Sequence, residues 1–144
     1  MRKQSNYKPR GVNPWAYQNV TRLNSPFTTD EAMQISYQGW DSFDRLLTGI
    51  GDKEDLQAME SMASVMRIVS KSLSEVVSVA DKAIAAAIRG KAREKAGLDG
   101  EGIQSCRTAL HYFDDLLAVV NRGEFMEALA DVAEKRNASN EMAA

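Results

Sequence analysis

The sequence predicts an all-α protein: a helical bundle of three main helices plus a short C-terminal helix, behind an extended basic and aromatic N-terminal arm. Three observations carry this expectation. Apolar residues recur at steps of three and four along most of the chain, which is the period of a helix face and not of a strand. All three prolines lie before residue 27, so the strongest helix breaker is missing from everything that follows. Capping residues and glycines punctuate the chain where those periodic stretches begin and end. Of the 144 residues 44% are apolar and 26% charged, a balance that excludes wholesale disorder and suits one domain.

Residues 1–27 form the arm. They show neither helical nor strand periodicity, and Lys8-Pro9, Asn13-Pro14 and Ser25-Pro26 each bias the residue before proline toward extended backbone. A short helical turn fits after Asn13-Pro14, because proline suits a first helical position. Tyr7, Val12, Trp15, Tyr17, Val20, Leu23 and Phe27 are too many apolar groups for a free tail. The expectation is a strap anchored by Trp15 and Phe27 on the helical body or on a second subunit. Its charge is one-sided: Arg2, Lys3, Lys8, Arg10 and Arg22 face no acidic residue in this segment, which leaves about seven net negative charges elsewhere. Two readings follow. The arm lies against its own acidic body, or it engages a polyanion or an acidic partner.

Residues 28–135 make the predicted bundle. Thr28 and Glu31 have the spacing of a capping box, and Met33, Tyr37, Trp40, Phe43, Leu47 and Ile50 share one face of the helix that follows. Gly49 and Gly51 stop it. Asp52 caps the next helix, whose stripe runs from Leu56 through Met59, Met62, Met66, Val69, Leu73, Val77, Ala80 and Ile84 to Ile88, ahead of Gly90. Unbroken, it would span about 55 Å at about 1.5 Å per residue, so a kink or break near Ser70–Ser74 is expected. Residues 89–102 are a polar connection with Asp99 as a candidate cap. Ile103, Cys106, Leu110, Phe113, Leu117 and Val120 mark the third main helix, ended by Gly123. Glu124–Glu134 forms the short helix, with Phe125, Leu129 and Val132 inward. Residues 136–144 are predicted to be a disordered tail.

Little in the chain resembles a reaction centre. His111 stands alone and five residues from Cys106, so the two do not share a helix face, and zinc needs three or four such ligands. Asp41 with Asp44, and Asp114 with Asp115, lack the Glu-x-x-His pairs of a di-metal bundle. They read as solvated faces. Gly49-Ile50-Gly51 lacks the Lys and Ser/Thr of a phosphate loop, and residues 97–102 lack the oxygen ligands of a calcium loop. The reading is a non-enzymatic protein with no cofactor, no metal and no catalytic residue. One cysteine excludes an internal disulfide and fits a reducing cytoplasm. No apolar run reaches membrane-spanning length, and no apolar segment follows Met1-Arg2-Lys3 as a secretory signal would require.

Two surfaces are candidates for recognition. Arg2, Lys3, Tyr7, Lys8 and Arg10, joined by Arg89, Lys91, Arg93 and Lys95, are the candidate contacts for a protein partner or, as the lesser alternative, for nucleic acid through phosphates and stacked bases. Met59, Met62 and Met66 with Ala83 and Ala87 are the candidate oligomer surface: methionines adapt to partners, and small residues let a second helix approach. A homodimer is the favoured assembly.

The opening Met1-Arg2-Lys3-Gln4-Ser5-Asn6-Tyr7-Lys8-Pro9-Arg10-Gly11-Val12 resembles the start shared by a family of small bacteriophage and prophage accessory proteins of proteobacteria. The resemblance extends through Leu98-Asp99-Gly100-Glu101-Gly102-Ile103-Gln104 and Leu110-His111 to Gly123-Glu124-Phe125. It supplies no catalytic residues. It implies a phage-encoded factor acting in the host cytoplasm, where binding or modulating a host protein is the expected role.

Overall fold

The structure, a computed structural model, describes residues 25–143 and is all-helical there, with five helices. Helix α1, Thr29–Leu47, opens on the predicted capping box: the Glu31 backbone N–H donates to the Thr28 hydroxyl at 3.2 Å, and the Thr28 N–H donates to the Glu31 carboxylate at 3.0 Å. Gly49, at φ 82°, takes the left-handed conformation that ends the helix without a Cβ clash. Asp52 then caps α2, Lys53–Val69, accepting from the N–H groups of Glu54 (3.0 Å) and Asp55 (3.2 Å).

The predicted interruption is present, and it is a full reversal. Ser70 to Leu73 separate α2 from α3, Ser74–Ala92. The two helices fold into an antiparallel hairpin in which Arg67 pairs with Asp81 (2.7 Å) and Glu60 with Lys91 (2.8 Å). Among the described helix pairs this one has the most extensive contact. Its two faces are complementary in size. Leu56, Met59, Met62 and Met66 of α2 and Ala80, Ala83, Ala86, Ala87 and Gly90 of α3 are all buried. Gly90 leaves no room for a side chain: a Cβ there would stand 3.0 Å from Leu56 of α2 and 2.5 Å from the carbonyl oxygen of Gly97, in the connection that follows α3.

Helix α4, Gly100–Leu117, starts at Asp99, which accepts from the Gly102 N–H at 2.6 Å. It returns across α3 and buries Gly102, Cys106, Ala109, Leu110, Phe113 and Leu117. The last helix, α5, spans Arg122–Ala143. Its cap is Asn121, whose side-chain oxygen accepts from the N–H groups of Gly123 (2.8 Å) and Glu124 (3.4 Å). Helix α2 is the hub, touching each of the other four.

Four expectations need correction. Gly123 does not end the third main helix; it lies in the first turn of α5, because Asn121 outranks it as a start signal. That last helix is the longest and runs through residues given to a disordered tail. No glycine or proline interrupts the chain after Gly123, and Ala, Glu, Lys and Arg favour helix. Leu129 is 40% exposed, not inward. The face chosen for α1 is displaced as well. Phe43 and Leu46 are buried, but Met33, Tyr37, Leu47 and Ile50 are exposed. Helix α1 meets the bundle along Ile35, Gly39, Ser42, Phe43 and Leu46, where small residues admit neighbours: a Cβ on Gly39 would lie 3.0 Å from Leu110.

Candidate functional site

Because α1 turns its small residues inward, part of its apolar face has no partner among the described residues. Phe27, Ala32, Met33, Tyr37, Trp40, Leu117 and Ala118 line a groove of ≈ 610 Å³ between α1 and α4. Met33 is 63% exposed and Tyr37 73%. The groove and this exposed pair together make an apolar patch on the described surface.

One end of the groove is fixed by long-range contacts. Pro26 bridges to Asn121, and the Arg122 N–H donates to the Ser25 carbonyl at 3.0 Å. The Phe27 ring stands edge-on to Phe125 at 5.2 Å, with the Arg122 guanidinium 5.7 Å from its centroid. Arg122 also pairs with Glu31, tying the start of α5 to the start of α1. The Glu31 carboxyl is held below its ordinary range, first by the Thr28 backbone N–H and also by Arg122.

The floor carries one carboxylate, and both its oxygens are engaged. Ser36 donates its hydroxyl to Asp114 at 2.5 Å, and the Trp40 indole N–H donates at 2.9 Å. Asp114 therefore positions Trp40 across the α1–α4 seam, and its expected place on a solvated face is corrected to a half-buried one. Trp40 also meets Phe43 at 5.8 Å and His111 at 5.0 Å, edge-to-face in both cases. His111 is exposed beside the core.

Elsewhere the predicted sites come apart. Arg2, Lys3, Tyr7, Lys8 and Arg10 lie outside the described residues, as does the anchoring of Trp15. Of the connection's cations, Arg89 pairs with Asp99 at 3.4 Å, and Lys91 is held by Glu60 and Gln57, each at 2.8 Å; Arg93 and Lys95 are exposed. Lys91 instead joins Arg67, Lys135 and Arg136 along a cleft of ≈ 710 Å³, a grouping drawn from three helices that spacing along the chain does not reveal. The proposed oligomer surface is internal. Met59, Met62, Met66, Ala83 and Ala87 are all buried in the protomer, because the α2–α3 hairpin closes the methionine stripe onto the alanine stripe. Cys106 is fully buried, and desolvation pushes its thiol up to about 11.

Among the described residues, no group of three or more His, Cys, Asp and Glu side chains is placed to hold a metal ion. No described helix is long and apolar enough to cross a membrane. Searches against protein-family models, curated proteins and solved structures find no match for this chain.

Proposed function

We propose that this protein is a non-enzymatic accessory factor of the bacteriophage type that acts in the cytoplasm by binding another protein, and that the α1–α4 groove receives an apolar segment of that partner. The observation that carries this reading is the exposed Met33–Tyr37 pair beside Trp40, over a floor whose only acid is already committed to Ser36 and Trp40. An apolar segment entering such a groove displaces water without stranding a buried charge. Methionine and tyrosine suit the task, one by adapting its shape and the other by combining an apolar ring with a polar tip. The phage setting rests on the resemblance of residues 1–12. Nucleic acid is the weaker reading, because Arg89 and Lys91 are paired with carboxylates.

Photo-crosslinking in the host cell tests the reading. With p-benzoylphenylalanine at Tyr37, a covalent adduct to a second protein is expected, and it should vanish when Met33→Asp is added. The same reagent at exposed Lys82 on α3 serves as the control. Equal adducts at both positions, or none at Tyr37, would overturn the docking role of the groove.

A further inference from the structure

We infer that the partner segment received by the α1–α4 groove is a cationic amphipathic helix, whose apolar stripe lies on Met33 and Tyr37 and whose basic side chains meet Asp30 and Asp44. This rests on the docking role proposed above and names the chemistry of the occupant.

Spacing points to a helix as the occupant. Asp30, Met33, Tyr37, Trp40, Asp44 and Leu47 follow one another along α1 at steps of three and four, so they share one face. Met33, Tyr37 and Leu47 are exposed on that face. A seam with this repeat matches the side-chain rows of a second helix laid alongside it. Met33, Tyr37 and Trp40 fill the middle of the seam, with a carboxylate to either side. At about 1.5 Å per residue, Asp30 and Asp44 stand about 21 Å apart along the helix.

Charge sets the sign of the partner. Both carboxylates are exposed, and neither has an ion pair or side-chain hydrogen bond among the described residues. The other acids of this region are committed: Glu31 to Arg122, Asp41 to Arg45, and Asp114 to Ser36 and Trp40. Its cations are engaged as well, Arg45 by Asp41 and Asp55, and Arg107 over the Phe43 ring at 5.6 Å. Asp30 lies in the first turn, where the helix end offsets part of its charge; Asp44 has no such offset and carries the larger share. A Lys or Arg arriving with the partner therefore finds an unpaired acid at each place, and an acidic segment is repelled. The same spacing disfavours a second copy. Two α1 helices laid antiparallel about Tyr37, which stands seven residues from each acid, set each Asp30 against an Asp44. Laid parallel and in register, they set each acid against its own equivalent.

Fluorescence anisotropy with the purified full-length chain tests this. The probe is a labelled helical peptide of about 18 residues with a neutral outer face and leucines at three- and four-residue steps. Two lysines on the leucine face are placed as far apart as Asp30 and Asp44. Saturable binding is expected, roughly tenfold tighter than for the same peptide with glutamate at both places, since each exposed pair contributes up to about fivefold. Asp30→Asn with Asp44→Asn should remove that preference, whereas Glu127→Gln with Glu134→Gln, exposed acids on α5, should leave it. Asp30→Lys with Asp44→Lys should prefer the glutamate peptide, a gain that no misfolded variant would show. Equal affinity for the two peptides, or a lysine preference that survives the two Asn substitutions, overturns the inference. Tyr37 photo-adducts joining two copies of the chain overturn it in favour of a second copy. In the host cell, a Tyr37 adduct undiminished by the two Asn substitutions overturns the cationic partner and leaves docking standing; the absence of any Tyr37 adduct overturns the docking role itself.

Discussion

Arg45 on α1 holds the buried carboxylate of Asp55 on α2 with two hydrogen bonds, from Nε at 3.0 Å and from a terminal nitrogen at 2.7 Å. The same guanidinium pairs with Asp41 one turn back on its own helix. Asp55 also accepts from the Asp52 N–H at 3.1 Å, so one carboxylate completes a helix cap and joins two helices.

Asp55 is therefore expected to dominate the acid limb of stability. Its carboxyl sits below the ordinary value, first because Arg45 donates to its charged form. A carboxylate depressed on folding contributes stability that is complete above its unfolded pKa, near 4, and is lost as pH falls through the lower folded value. Asp55→Asn should cost on the order of 2 kcal/mol near neutral pH and should flatten the fall in Tm between about pH 5 and pH 2. Thermal melts of both proteins across that range check the slope; parallel curves would contradict the assignment.

Gly90 and Gly100 are expected to respond to alanine with opposite signs. At Gly90 the new methyl meets the Gly97 carbonyl, a backbone atom that does not give way, and a loss of about 1–3 kcal/mol follows. Nothing lies within 4 Å of a Cβ at Gly100, so alanine there stabilises by about 0.5 kcal/mol through reduced freedom of the unfolded chain. Urea denaturation of the two variants decides it.

Met59→Ala distinguishes a core methionine from an interface one. Buried in the protomer, Met59 should cost about 2–4 kcal/mol on truncation. Sedimentation should show the same assembly state for the folded variant and the native protein. A changed assembly state with unchanged stability would return the methionine stripe to an interface.

Cys106 should be silent toward thiol reagents in the folded state. Burial raises its pKa to about 11 and closes access, so labelling at pH 8 should follow global unfolding and accelerate sharply with urea. Cys106→Ser, which places a hydroxyl in an apolar site, should cost about 1–3 kcal/mol. Rapid stoichiometric labelling without denaturant would show that α4 opens locally.

Local chemistry determined much of this protein by itself. Thr28, Asp52 and Asp99 each announce a helix start, since a cap needs only a side chain and backbone within three residues. Ser70–Ser74 announces an interruption for the same reason. Other features depend on what lies across the bundle. Whether the chain bends or reverses at Ser70 is settled by the fit of Met59, Met62 and Met66 against the alanines of α3. Which face of α1 is buried is settled by Gly39 against Leu110, an approach made possible by a missing side chain that a search for large apolar residues passes over. Exposed Met33 and Tyr37, and with them the groove, follow from that choice. Periodicity identified an apolar stripe on α1; only tertiary packing decided how much of it the core covers, because a helix has more apolar surface than its neighbours have room to bury.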